Sequence, residues 1–204
     1  MSTLTISNYT LKHFDLRAKS IMDEYLKLIN VDVSDYTFAG NYIWLSTATG
    51  FYTIVNETFC LFILNSGELS MLLPPIGKKE NTYDAMLQCF DIMNSHNSNR
   101  NYSKIEYVHE ELLEGFVDYL EEGTLVYEML KDFIIEKKLV DYIYKVEDLI
   151  DLKGDSYKSK RNEINRFRNV YPNHKIEIFD KEKHGSAVMS LFNKWVRDRT
   201  TYMP

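Results

Sequence analysis

Between residues 153 and 175 the chain carries Lys153, Lys158, Lys160, Arg161, Arg166, Arg168 and Lys175 against Asp155 and Glu163, a net +5. The whole chain of 204 residues stands at −6, which leaves −11 for everything outside this segment. Cations gathered on one helix-length stretch of an acidic protein point to a local anionic partner rather than to general coating of nucleic acid. Lysine supplies a point charge, and arginine can clamp a phosphate through two parallel hydrogen bonds. Asn162 and Asn165 add neutral donors suited to phosphate or carboxylate oxygens. The candidate anion ligands are Lys158, Lys160, Arg161 and Arg166.

The helical phase of the segment sharpens the choice. At about 100° per residue from Tyr157, Ile164, Phe167 and Tyr171 fall at about 340°, 280° and 320°, an apolar stripe. Lys160 lies inside the stripe at about 300°, Arg161 and Arg168 lie on its border at about 40° and 20°, and Arg166 points away. A lysine on an apolar stripe costs desolvation unless it meets an anion or a cleft. The plain alternative is a solvated charged face whose aliphatic stems lie along apolar neighbours.

Other chemistries find little support. His13, His96, His109, His174 and His184 are scattered without a second ligand at metal spacing, so no metal is expected. There is no G-x-S-x-G, no Walker loop and no G-x-G-x-x-G. Glu110-Glu111 and Glu121-Glu122 read as solvated helix faces. Asp141 and Tyr144 are weak candidates for a general base, and a packed strand is the plainer role for both. Cys60 and Cys89, one in a strand-like and one in a helix-like run, read as buried thiols rather than a disulfide framework. No apolar run approaches the ~20 residues that span a bilayer. The N-terminus lacks the pattern of a signal peptide, so the expected location is cytoplasmic.

The elements that must position the cationic segment follow from periodicity. Helices are expected over residues 15–28 and 36–44, the second capped by Ser34 and Asp35. Three strands over 51–56, 59–65 and 68–75 read as an antiparallel meander that Pro74 and Pro75 end. A helix over 82–97, a strand over 103–108, a helix over 110–120 and a strand over 139–146 follow, with 124–135 ambiguous between strand and helix. The basic helix covers about 155–170 and stops before Pro172. A strand over 175–179 and a helix over 184–199 close the chain. The pattern implies a mixed α/β layer fold.

Several of these stretches share a resemblance. D-Y-I-Y (141–144), L-x-x-L-x-G-x-x-Y-x-x-K-R-N-x-I-N-x-F (149–167) and Y-P (171–172) resemble the DUF2156 family, which is similar to the C-terminal domain of phosphatidylglycerol lysyltransferase. S-D-Y-T-F-x-x-N-Y-I-W (34–44) and L-P-P-x-G (73–77) fit the same pattern. The resemblance implies an α/β, GNAT-like (acyl-CoA N-acyltransferase-like) mixed sheet flanked by helices, in a family that usually carries two such units in tandem. It implies an acyl- or aminoacyltransferase acting on a phosphate-bearing substrate, either a tRNA acceptor end or a lipid headgroup. The chemistry needs a positioned amine, its deprotonation and a stabilised tetrahedral oxyanion.

Two departures set further expectations. The chain stops at Pro204, so residues 1–180 are expected to form an N-terminal GNAT-like domain and 181–204 the first helix of a truncated second. The face made by Val188, Leu191, Phe192 and Trp195 is then expected to pack poorly or to mediate a homodimer. The R/Q-x-x-G-x-G/A loop that holds the pyrophosphate of acetyl-CoA is missing, so no cofactor is expected. A reading from another class remains: a non-catalytic binding module or degenerate transferase whose basic helix makes structural ion pairs.

Overall fold

The computed structural model describes residues 3–45, 49–109, 112, 133, 134, 136 and 140–200. By contacts the chain divides into two units, 1–143 and 144–204. The first is built on five antiparallel strands in the order β1-β2-β3-β4-β5: β1 (Thr3–Ile6), β2 (Tyr9–His13), β3 (Thr49–Val55), β4 (Thr58–Asn65) and β5 (Glu68–Met71). The tight connections place non-glycine residues at positive φ. Asn56 and Glu57 sit at 44° and 56°, and Ser66 and Gly67 at 52° and 87°. Two consecutive left-handed residues are the hairpin geometry that suits the right-handed twist of the flanking strands.

β4 explains the centre of this unit. Its run Phe59-Cys60-Leu61-Phe62-Ile63 is apolar at every position because both faces of the strand are covered. Cys60 and Phe62 join Leu11, Phe51, Leu69 and Met71 against Ala85, Cys89, Ile92 and Met93 of α3 (Lys79–His96). Phe59, Leu61 and Ile63 face the other way, with Tyr52 and Leu73, toward Met22 of α1 (Lys19–Leu26) and Phe38 of α2 (Phe38–Trp44). Phe59 and Phe62 are fully buried, each contributing about 1.5–3 kcal/mol. Cys60 and Cys89 are both free and buried, and burial together with the neighbouring Cys60 pushes the Cys89 thiol up.

The strand expected over 68–75 ends at Met71. Beyond Pro74 and Pro75 the chain returns to β4, where Phe59 and Ile76 exchange backbone hydrogen bonds of 2.8 and 2.9 Å. Past α3, Asn97 stands in for a strand neighbour: Leu69 N donates to its Oδ1 at 2.6 Å, and its Nδ2 donates to Leu69 O at 2.8 Å. The expected strand over 103–108 is a single parallel bridge, Met71 to Ile105, which makes the pairing mixed. The helix expected over 110–120, apart from residue 112, and most of 124–135 lie outside the described residues.

In the second unit the described α-helices are α4 (Val146–Asp151), α5 (Lys158–Val170), entered through a short 3-10 turn (Asp155–Tyr157), and α6 (Lys181–Thr200). Two strand expectations fail. Residues 140–145, which straddle the boundary between the units, and 173–180 are irregular, and Ile176 and Ile178 are 93% and 95% exposed. Alternating apolar residues become a strand only with a neighbour to complete the ladder, and no described segment of the unit supplies one. None of the described residues from 144 to 199 is buried. The apolar face of α6 is open, with Trp195 51% exposed and the Arg199 guanidinium 4.8 Å from its ring centre. Among the described residues no helix is long and apolar enough to cross a membrane.

Candidate functional site

α5 grows out of a turn that its own residues hold. α4 ends at Leu152, which adopts the left-handed conformation at φ 47°, and Gly154 follows at φ 88°. Such a reversal leaves carbonyls without helical partners. Arg161, one turn into α5, reaches back and donates through Nη1 to Leu152 O and, at 2.7 Å, to Gly154 O. The L-x-G-x-x-Y-x-x-K-R spacing is the distance that brings a guanidinium over those two carbonyls. Nε and Nη2 of Arg161 have no partner among the described residues.

The other three expected ligands are exposed on the helix surface. Lys160 Nζ pairs with Glu163 Oε2 at 3.2 Å, both side chains about two-thirds in solvent. The apolar stripe it was expected to share is itself open: Ile164, Phe167 and Tyr171 are 38%, 48% and 57% exposed. Lys160 therefore meets no desolvation in this unit, and the exposed pair contributes little. Lys158 and Arg166 have no carboxylate partner among the described residues, and neither has Arg168, which the candidate list had left out.

The helix spreads these groups around its circumference. Lys158, Arg161, Asn165 and Arg168 recur at i, i+3, i+7 and i+10 and share one flank of the apolar stripe. Lys160 lies on the other flank, and Arg166 on the far side. On the helix, Lys158, Arg161 and Arg168 thus share a flank, with Lys160 and Arg166 on other faces. The helical phase of the sequence sets Arg168 beside Arg161, though it is not among the named ligands.

At the C-terminal end of α5, Phe167, Val170, Tyr171, Pro172, Asn173 and His174 line a concavity of about 500 Å³. The Phe167 ring centre lies 5.1 Å from that of Tyr171 and 5.0 Å from that of His174, the latter edge-on. His174 Nδ1 is 2.7 Å from Tyr171 O. A carbonyl only accepts, so Nδ1 carries the hydrogen and the Nε2 lone pair of the neutral ring points elsewhere.

The first unit holds its own polar constellation. The S-D-Y-T-F stretch is a helix start: Thr37 Oγ1 accepts from Gly40 N at 3.1 Å and donates to Ser34 O at 2.8 Å. Thr37 is therefore the cap, in place of the expected Ser34 and Asp35. Buried Asn41 donates to the carbonyls of Asp35 and Thr37 at 2.6 and 2.8 Å. Tyr36 Oη donates to Tyr107 O at 2.7 Å and accepts from His109 N at 3.3 Å. Burial pushes the Tyr36 phenol up well past the usual range. Burial, and then the nearby Asp141 carboxylate, raises the Asp35 carboxyl. Asp141 is exposed in irregular chain rather than packed in a strand, as is Tyr144 in the second unit. Among the described residues no group of His, Cys, Asp and Glu could hold a metal.

An antiparallel sheet covered by helices on both faces, with a parallel bridge at its end, is a mixed α/β architecture compatible with the GNAT-like fold. The family model for the C-terminal region of phosphatidylglycerol lysyltransferase matches residues 26–202, and the chain belongs to that family. No curated protein and no solved structure matches the chain.

Proposed function

We propose that this chain takes part in aminoacyl transfer from an aminoacyl-tRNA to the headgroup of an anionic phospholipid, and that α5 binds the phosphate-bearing substrate. Family membership supports the reaction class, an aminoacyltransferase acting on lipid. The observation that carries the site is the flank of α5 on which Lys158 and Arg168 have no carboxylate partner among the described residues. Between them stand the remaining donors of Arg161 and the Asn165 amide. Phosphate oxygens are matched by such a row, because guanidinium forks bind two oxygens and lysine follows as a point charge. Lys160 and Arg166, on other faces of the helix, strengthen the positive field that draws the anion in.

For a glycerol-type headgroup the attacking group is a hydroxyl, not the amine first considered. Its oxygen forms a new ester bond to the aminoacyl carbonyl, the tetrahedral oxyanion collapses, and the tRNA ribose oxygen departs with a proton. The cations of α5 suit the binding of the phosphate beside that hydroxyl, which is positioning rather than bond-making.

A second reading has an observation of its own. Lys160 pairs with Glu163 and Arg161 with backbone carbonyls, which is what a binding module with a structurally used basic helix would show. The deciding experiment incubates the protein with labelled lysyl-tRNA and phosphatidylglycerol vesicles and analyses the extracted lipid. Labelled lysyl-lipid supports transfer. Lipid that stays unlabelled while the vesicles bind the protein supports the module.

A further inference from the structure

Residues 174–179, His-Lys-Ile-Glu-Ile-Phe, have the pattern of a strand without its ladder. The segment is tied at both ends. His174 N donates to Tyr171 O at 3.1 Å, and Asp180 O accepts from His184 N at 2.8 Å where α6 begins. Between these ties the side chains alternate, as they do along a strand. Glu177 Oε2 meets Lys183 Nζ and lies 3.4 Å from His184 Nε2, and the Phe179 ring centre is 6.0 Å from that of His184. Ile176 and Ile178 stand almost wholly in solvent. The backbone N–H and C=O groups of residues 175–179 have no hydrogen-bond partner among the described residues. Open donors and acceptors beside two bare isoleucines are a template for another strand.

We infer that this segment pairs antiparallel with the same segment of a second copy of the chain, about a two-fold axis at Ile176. The charges select this occupant and this register. In a two-fold antiparallel pair centred on a residue, opposed side chains share a face. Centring on Lys175 or Glu177 opposes like charges on the axis, and centring on Ile178 sets Ile176 against Asp180. Centring on Ile176 opposes Lys175 to Glu177 twice over and brings the two Ile176 side chains together. Lys175 has no carboxylate partner among the described residues. Both contacts to Glu177 use Oε2, which leaves Oε1 for the lysine of the other copy. Six residues a side bury less than the ~1,200 Å² of a stable complex, so the strands alone would associate weakly. The open apolar face of α6, which follows Asp180 directly, supplies further area for the same partner.

The test is sedimentation of the whole chain over a wide range of concentration. The parent is expected to show a monomer–dimer equilibrium. Lys175→Glu and Glu177→Lys, each of which puts like charges opposite at two places, are expected to weaken the dimer about tenfold. The double variant Lys175→Glu, Glu177→Lys restores opposite charges and is expected to return to within about threefold of the parent. Glu177→Lys also loses the contacts to Lys183 and His184, but so does the double variant, so recovery there reports the cross-strand pairs. Ile176→Cys is expected to link two copies by a disulfide under copper-catalysed air oxidation, since opposed Cα atoms stand about 4.5–5.5 Å apart. Ile178→Cys, displaced from the axis along the strand, is expected to stay unlinked. The native Cys60 and Cys89 are buried and leave this reading clear. Sedimentation as a monomer at every concentration, or as an open series of larger species, would overturn the inference. So would a dimer that both single charge reversals leave unchanged, or one that the double variant fails to restore.

Discussion

Arg161 Nη1 lies 2.7 Å from the Gly154 carbonyl, and the same nitrogen donates to Leu152 O. One cation of the basic helix is thus tied to the chain that precedes it. The tie fixes where α5 begins, and with it which residues share a flank. A residue that looks like a phosphate ligand in sequence serves here first as the clasp of a left-handed turn.

Replacing Arg161 by alanine should therefore act on stability before it acts on binding. Loss of charge-assisted hydrogen bonds to half-exposed carbonyls should cost about 1–2 kcal/mol. Hydrogen exchange should speed up for the backbone amides between residues 152 and 161. Unchanged exchange in that segment, with a large loss of phosphate binding, would return Arg161 to the role of a plain ligand.

The cap of α2 makes a second prediction. Thr37 both accepts from Gly40 N and donates to Ser34 O. Thr37→Ala should lower unfolding stability by about 1 kcal/mol in urea denaturation. Gly40→Ala should cost more, because its Cβ would stand 2.9 Å from both Ser34 O and Thr37 Oγ1. A Gly40→Ala protein as stable as the parent would mean that this helix start is looser than described.

Gly77, the last residue of L-P-P-x-G, is a packing glycine. A Cβ there would lie 2.8 Å from Thr58 Cγ2 and 3.2 Å from Glu57 O. Gly77→Ala should push the chain off β4 at the Phe59–Ile76 bridge and cost about 1–3 kcal/mol. Thermal melting that shifts by less than a degree would contradict it.

Asp35 supplies a pH prediction. Its carboxyl is raised by burial first and by Asp141 second, so the folded protein holds this proton more tightly than the unfolded chain. A folded-state pKa above the unfolded one contributes stability at acid pH that fades as pH rises through the folded value. Asp141→Asn should move the Asp35 titration part of the way back toward 3.8, as read by carboxyl carbon NMR. Asp15 runs the other way: hydrogen bonds from Arg17 hold it at about 2. Its contribution is present above the ordinary carboxylate range and lost as pH falls toward that value. Arg17→Ala should raise the Asp15 titration toward 3.8 while leaving Asp35 in place.

How much of this was legible can be followed residue by residue. The apolar run of β4 and the helix carrying Met86, Cys89 and Met93 announced themselves, the first as an unbroken apolar stretch and the second by its helical period. The hairpin of β1 and β2 went unread. Leu4 and Ile6 alternate, and so do Tyr9 and Leu11, but the turn between them carries no glycine and uses Ser7 at φ 50°. Ile176 and Ile178 alternate just as well and form no strand, since alternation says nothing about whether a partner strand exists. The backbone tie of Arg161 is hidden for a related reason. A helical phase compares side chains with one another and does not see the backbone carbonyls of the preceding turn. The helical phase already sets Arg168 on the border of the stripe beside Arg161, on the flank it shares with Lys158.

The central claim is that the Lys158–Arg168 flank of α5 binds the phosphate of a substrate in aminoacyl transfer. The most direct measurement is the rate of lysine transfer to phosphatidylglycerol by the parent and by the Lys158→Ala, Arg168→Ala double variant, across lipid concentrations and at matched fold by circular dichroism. The account predicts that the parent transfers lysine and that the double variant loses tenfold or more in kcat/KM, roughly the loss of one charge-assisted contact. Equal rates for the two proteins, or no transfer by the parent at any lipid concentration, would contradict it.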